Sequence, residues 1–532
     1  MKTRSRMLAL ATLLTVSAAG FAAAAPGTSA TPATPAASGV HLPPGIAWQQ
    51  GDVDAAFALA KASNKPLLLY WGAVWCPPCN QVKATIFSRQ AFKDRSSFFV
   101  PVYLDGDTES AQKLGERFKV RGYPTMILFT PDGTEITRLP GEVDIDRYMQ
   151  ALSLGLNAAH PFKQTLAAAL QGNAQLKRDE WRMLADYSWD TDGDLPVPGD
   201  RIATTLQTLS AHAKADHAGA EALRLELKAI ESAASNDPKQ SGTLDKASAL
   251  AALHQVLQDA KLSRDNFDIL VANPADVTAY LGGQGSPERA RLAKTWTDAL
   301  ARLATDASLS TTDRLSAVQG RVDLARLDGP KGAPLAKPLI DEVRRQTAAA
   351  DKATTNVYER QSVVSEAADL LTDAGLIDES DALVKASLAR SPAPYYLMSR
   401  LALNAKARGD KAGALAWYKQ AYDASSGPAT RLRWGAAYIG GVIELSPDDT
   451  ARVQGIATSL LTQVGQTPNA FYGSNRGALA RVVARLAQWN KGGAHEATVK
   501  EVAKQFEQTC AKLPAGDPQV ATCKGLIQPL KA

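Results

Sequence analysis

The sequence has few metal-binding residues: four cysteines and six histidines in 532 positions. A structural zinc site needs four ligands, usually with a second Cys or His pair close to the first. The closely spaced pair Cys76 and Cys79 has only His41 and His160 as its nearest histidines, so no metal is expected there. Beyond the N-terminus no stretch reaches the eighteen or so unbroken apolar residues of a membrane span. Charge of one sign is also missing. The net +5 is mild, and basic and acidic residues are interleaved without a basic, aromatic-studded stripe, which argues against nucleic acid as a partner. Gly-x-Ser-x-Gly, phosphate-loop, dinucleotide and His-Glu-x-x-His patterns are absent. Asp190-Thr191-Asp192-Gly193-Asp194 resembles the start of a calcium loop. Its glycine is misplaced, however, and Arg201 stands where a bidentate Glu is required.

What is present is Trp75-Cys76-Pro77-Pro78-Cys79, directly after the apolar run Leu67 to Trp71. Such a run reads as a buried strand, and the residues after Cys79 read as an amphipathic helix. Two thiols two residues apart at a strand-to-helix junction interconvert between dithiol and disulfide with little chain movement. The first sulfur lies at the positive end of the helix dipole, which favours thiolate, the attacking species. The second can then resolve the mixed disulfide. Pro77 and Pro78 fit the first helical turn, where no intrahelical donor is needed. They also remove two N–H groups that could have faced the Cys76 sulfur.

From Gly51 to Leu154 the sequence resembles the thioredoxin superfamily, most closely the periplasmic thioredoxin-like domains that end membrane disulfide reductases of the DsbD kind. The resemblance rests on Lys65 to Tyr70, the Trp-Cys-x-x-Cys motif and Thr85 to Ser88. It continues through Val102 to Asp105, Val120 to Thr125 and Phe129 to Gly133. It implies a βαβαββα domain with a central sheet covered on both faces, a nucleophilic Cys76 and a resolving Cys79. It also implies a cis Tyr123–Pro124 bond against the active-site disulfide, and no cofactor beyond that disulfide. Trp75, Pro77, Pro78, Tyr70 and Tyr123 are the expected supporting residues. Pro131-Asp132-Gly133 is a turn signal between the last two strands.

Two departures stand out. Family members carry a buried acid six positions before the first cysteine; here that position is Tyr70. The lysine that usually partners this acid lies four residues before an Asp on the next strand. If that Asp is Asp105, the lysine position is Pro101. A phenol titrates near pH 10 and is a poor proton acceptor at neutrality. The reading therefore leaves solvent or a substrate group to take the proton from Cys79.

Lys2, Arg4 and Arg6, the apolar stretch from Met7 to about Ala19 and the small residues Ala23 to Ala25 read as a secretory signal peptide, 1–25. The expectation is export, most simply to a bacterial periplasm, with no membrane span after cleavage. Residues 26–45, rich in Pro, Ala, Ser and Thr, read as a tether. The thioredoxin-like domain is then 46–158, and 160–532 is expected to be all-α. Within it, Ala414, Tyr418 and Ala421 after Arg408-Gly409-Asp410 have the small-aromatic-small spacing of tetratricopeptide repeats. Ala382, Ala386 and Ala389 echo it one unit earlier. Cys510 and Cys523 flank a Pro- and Gly-containing reversal and are expected to form a structural disulfide.

The expected function is an exported thiol–disulfide oxidoreductase, a protein-disulfide reductase above all, acting on protein or peptide disulfides. A membrane-bound thiol reductant is the candidate electron donor, and the helical region binds partner or substrate. The alternatives are a disulfide oxidase or isomerase using the same cysteines, and a helical binding scaffold with a subsidiary redox site.

Overall fold

The computed structural model describes residues 42–531, except 142, 173–174, 190, 236–243 and 331. The expected signal peptide and the tether as far as residue 41 lie outside the described residues. Five strands form one sheet: β1 (Gln49–Gln50), β2 (Leu67–Gly72), β3 (Val100–Asp105), β4 (Thr125–Phe129) and β5 (Glu135–Leu139). Their order is β1-β3-β2-β4-β5. β3 pairs in parallel with β1 and β2, whereas β4 runs antiparallel to β2 and β5. β2 is buried at every position, so it reads as an unbroken apolar run instead of an alternation. β1 is too short to leave a periodic signal and is an addition to the βαβαββα order read from sequence.

The helices of this domain are α1 (Val53–Ser63), α2 (Pro77–Val82), α3 (Gln90–Arg95), α4 (Glu109–Arg117) and α5 (Ile145–Leu156). α1 begins at Asp52, whose carboxylate accepts from the Ala55 N–H at 3.0 Å, and it stops at Asn64 in the left-handed region. α2 runs on into a single π turn, Lys83–Phe87. Leu67, Leu69 and Trp71 of β2 face a core shared with Val53, Ala60 and Ala111 of α1 and α4. Tyr70 points the other way, edge-on to Phe87 at 4.9 Å. On that same face the Tyr148 hydroxyl of α5 donates to the Met126 sulfur.

Among the described residues no strand follows β5. The chain continues as helices that pack in consecutive pairs, such as Ile202–Ala215 with Gly219–Ser235 and Pro394–Ala407 with Lys411–Ala424. In the second pair Gly409 turns the chain at φ +79°, and Leu401, Ala414 and Ala421 are buried where the helices meet. The unit before it departs from the sequence reading. Ala382, Ala386 and Ala389 are exposed, and Ser380, Val384 and Ser387 face inward instead. The inward serine is satisfied locally, since the Ser380 hydroxyl donates to the Ala368 carbonyl at 2.9 Å. The helical region also packs on the α/β domain: Val357–Asp373 against α2 and Gly473–Trp489 against α4.

Candidate active site

Cys76 is the N-cap of α2, with Pro77 and Pro78 in the first turn. The first N–H available to the cap is that of Cys79, which donates to the Cys76 sulfur at 3.2 Å. The two cysteines are joined in a disulfide. Cys76 is 2% exposed and Cys79 is fully buried. Asn80, which the sequence reading passed over, fixes the loop by donating to the carbonyls of Val74 and Cys76 at 2.8 and 3.0 Å. Tyr123 packs on the cysteine pair, and its hydroxyl donates to the Gly106 carbonyl at 2.9 Å. The Tyr123–Pro124 bond is cis, and Pro124 immediately precedes β4.

Tyr70 is fully buried and donates to the Cys79 carbonyl at 3.3 Å. Burial first, then Tyr148 and the negative charge of Asp105, push its phenol far above the ordinary range, so it serves as a neutral donor. Pro101 stands opposite Leu68 and provides no cation, but the site does contain one. Lys83, one turn beyond Cys79 on the same helical face, is buried with its ammonium 5.8 Å from the ring centroids of Tyr103 and Tyr358. Burial lowers its pKa to about 8, and Asp105 at the end of β3 opposes that shift. Asp105 itself is pushed up to about 6, mainly by burial and then by Asp107. An acid and a cation thus lie close enough to act on each other's charge at Asp105 and Lys83. Cys79 is fully buried in this disulfide state.

Trp75 ties the motif to the helical region. Its indole N–H donates to Asp107 at 2.6 Å, and Asp107 also accepts from Thr430. The ring stacks on Tyr396 with planes at 16°, and the Arg433 guanidinium lies 4.5 Å above it. Gln81 of α2 donates to Asp313 at 2.7 Å, and Ser474 donates to Gln112 of α4 at 2.9 Å. Between the two parts lies a cavity of about 690 Å³ whose lining includes Trp75, Cys76 and both prolines but not Cys79. Cys510 and Cys523 form a second disulfide, within a separate C-terminal core. Asp192 of the calcium-like segment is buried against Arg138 at 3.2 Å.

A family model described as a thioredoxin-like domain matches residues 53–155. A thioredoxin of Mycobacterium tuberculosis is 35% identical over 89 residues, covering 16% of this chain and 72% of that protein. The chain belongs to the thioredoxin-like family. A thiol:disulfide interchange protein DsbD of Pseudomonas fluorescens is 34% identical over 107 residues, 19% of this chain and 17% of that protein. The chain therefore spans less than a fifth of the length of that relative. A solution structure of a thioredoxin from Thermus thermophilus is 25% identical, covers 20% of this chain and 86% of that one, and has a TM-score of 0.19. Family membership and the Cys76–Cys79 disulfide together support thiol–disulfide oxidoreductase activity for the thioredoxin-like domain. Among the described residues no helix is long and apolar enough to cross a membrane.

Proposed function

We propose that the protein is an exported protein-disulfide reductase in which Cys76 attacks and Cys79 resolves. One observation carries the assignment of roles: the Cys76 residue lines the cavity, while Cys79 is sealed one turn inside. The Cys76 thiolate attacks a substrate disulfide, forming a mixed disulfide and releasing one substrate thiolate. Cys79, once deprotonated, attacks the Cys76 sulfur, closes the protein disulfide and releases the second thiol. Asp105, ionised above about pH 6, is the candidate acceptor of the Cys79 proton, with Lys83 beside it. An external dithiol then restores the reduced pair; a membrane-bound thiol reductant would suit that role.

The reducing direction is supported by the few donors to the Cys76 sulfur. Pro77 and Pro78 have no N–H, no histidine lies between the cysteines, and the single Cys79 N–H remains. A weakly stabilised thiolate gives a less oxidising couple. Export is supported by the basic, then apolar, then small-residue N-terminus. In this reading the helical region is a tetratricopeptide-like array that selects substrates.

Equilibration of the full chain with glutathione buffers tests the direction. The couple should lie near thioredoxin's roughly −270 mV and far from the roughly −120 mV of strong oxidants. A site still fully reduced in buffers that oxidise thioredoxin would overturn the reductase reading. Cys76→Ser should abolish exchange, and Cys79→Ser should accumulate mixed disulfides.

A further inference from the structure

The cavity over Cys76 is lopsided in charge. The α/β domain contributes Glu116, Lys119 and Arg121 to its lining, and the helical region contributes Arg433, Arg476 and Arg481. Glu116, the single carboxylate among these lining residues, is already paired: Arg476 lies 3.1 Å from it and the Gly473 N–H donates to it at 3.1 Å. The other four cations have no carboxylate at ion-pair distance among the described residues. Arg433 lies over the ring of Trp75, the residue just before Cys76, and lines the same cavity as Cys76. Partial desolvation, then the charges of Arg433 and Arg485, hold Arg481 below its ordinary pKa. The lining thus carries five cations against the one carboxylate of Glu116.

Size narrows the occupant further. About 690 Å³ falls within the range of small-ligand sites and holds a few residues of extended chain. Cys76 is 2% exposed and shares the cavity wall with Trp75, Tyr396 and Arg433, an arrangement that favours a short extended chain over a broad folded surface.

We propose that this cavity is a binding site for short acidic peptide disulfides, with Arg433, Arg481 and Arg121 holding carboxylates that flank the sulfur presented to Cys76. The proposal rests on the exchange reading above. Chemically it adds no new step: the peptide disulfide gains two electrons and two protons to give two thiols, and Cys76 and Cys79 become a disulfide. Dithiothreitol supplies the two electrons beforehand, reducing the protein, and is removed before the test.

The test is the rate at which reduced full-length protein is oxidised, followed by tryptophan fluorescence. Three disulfides are compared: an Asp-Cys-Glu peptide dimer, a Lys-Cys-Lys peptide dimer and uncharged 2-hydroxyethyl disulfide. The acidic dimer should react about tenfold or more faster than the basic one at low salt, and the ratio should shrink as salt is added. Arg433→Gln combined with Arg481→Gln should bring the ratio towards one. Equal rates for the two peptides in the unmodified protein would overturn the proposal, and so would a folded disulfide protein reacting as fast as the acidic peptide. Failure with 2-hydroxyethyl disulfide as well would instead overturn the exchange reading beneath it.

Discussion

Trp75, the residue before the first active-site cysteine, meets Trp434 of the helical region edge to face, with ring centroids 5.3 Å apart and planes at 74°. Trp434 is itself fixed by its indole N–H, which donates to the Tyr395 carbonyl at 2.9 Å and the Ser399 hydroxyl at 2.8 Å. A residue adjoining the redox centre is thereby packed on a helix remote in sequence. Access to the disulfide and docking of the helical region are one structural variable.

Replacing Trp434 with Ala should loosen that docking. Losing a buried indole typically costs about 3–5 kcal/mol. The disulfide should then be reduced faster by a bulky protein dithiol, with a smaller gain for dithiothreitol. Parallel rate measurements with both reductants check this, and equal acceleration would mean the contact does not gate access.

The half-buried Asp105 and buried Lys83 predict a particular pH–rate profile for resolution of the mixed disulfide. Asp105 can accept a proton only when ionised, so the rate should climb as pH rises through about 6. Asp105→Asn keeps the oxygen that accepts from the Asp107 N–H at 3.1 Å but removes the base. The inflection near pH 6 should vanish, and resolution at neutrality should slow by about a hundredfold, the lower end for general base catalysis. Single-turnover rates from pH 5 to 9 decide it; an unchanged profile in the variant would rule Asp105 out.

The same shift has a consequence for stability. The folded-state pKa of Asp105 is raised, so its contribution is fully favourable below its unfolded pKa of 3.8 and is lost as pH rises through about 6. At roughly 1.4 kcal/mol per pH unit the loss is about 2–3 kcal/mol. Urea titrations across pH 4 to 7 should show the wild type losing that much relative to Asp105→Asn.

The redox motif, β2 and the β4–β5 hairpin were legible because each has a local cause: an unbroken apolar run, a Cys-x-x-Cys spacing, a Pro-Asp-Gly turn. Lys83 was not. A lysine on a helix reads as a solvated charge, and this one is closed off in part by Tyr358 of a helix remote in the chain. Gln361 reaches the Trp75 carbonyl across 286 positions, and Thr430 reaches Asp107 across 323. Contacts of that range leave no periodic trace. The exposed Ala382, Ala386 and Ala389 are the opposite case, a correct spacing of small residues on the wrong face.

Asp192 should prove structural. It is fully buried, pairs with Arg138 and accepts from the Tyr187 hydroxyl at 2.8 Å. Arg138 is also buried and is held by Glu135 and the Phe118 carbonyl. Asp192→Ala leaves a buried cation short of one counter-charge, a class of change that costs about 3–5 kcal/mol. Chemical denaturation should show the loss, and added calcium should not restore it.

The Cys510–Cys523 disulfide should contribute stability and no electrons. It joins Glu496–Ala511 to Gln519–Lys531 across 13 positions, and both cysteines are buried in the C-terminal core with Phe471, Phe506 and Ile527. Closing a loop of that length removes chain entropy worth about 3 kcal/mol from the unfolded state. Replacing both cysteines with Ala should lower the denaturation midpoint accordingly. Exchange at Cys76 should continue at the wild-type rate, because neither Cys510 nor Cys523 lines the cavity. Turnover with dithiothreitol, measured below the melting range of the variant, separates the two roles. A normal midpoint with impaired turnover would mark the pair as an electron relay.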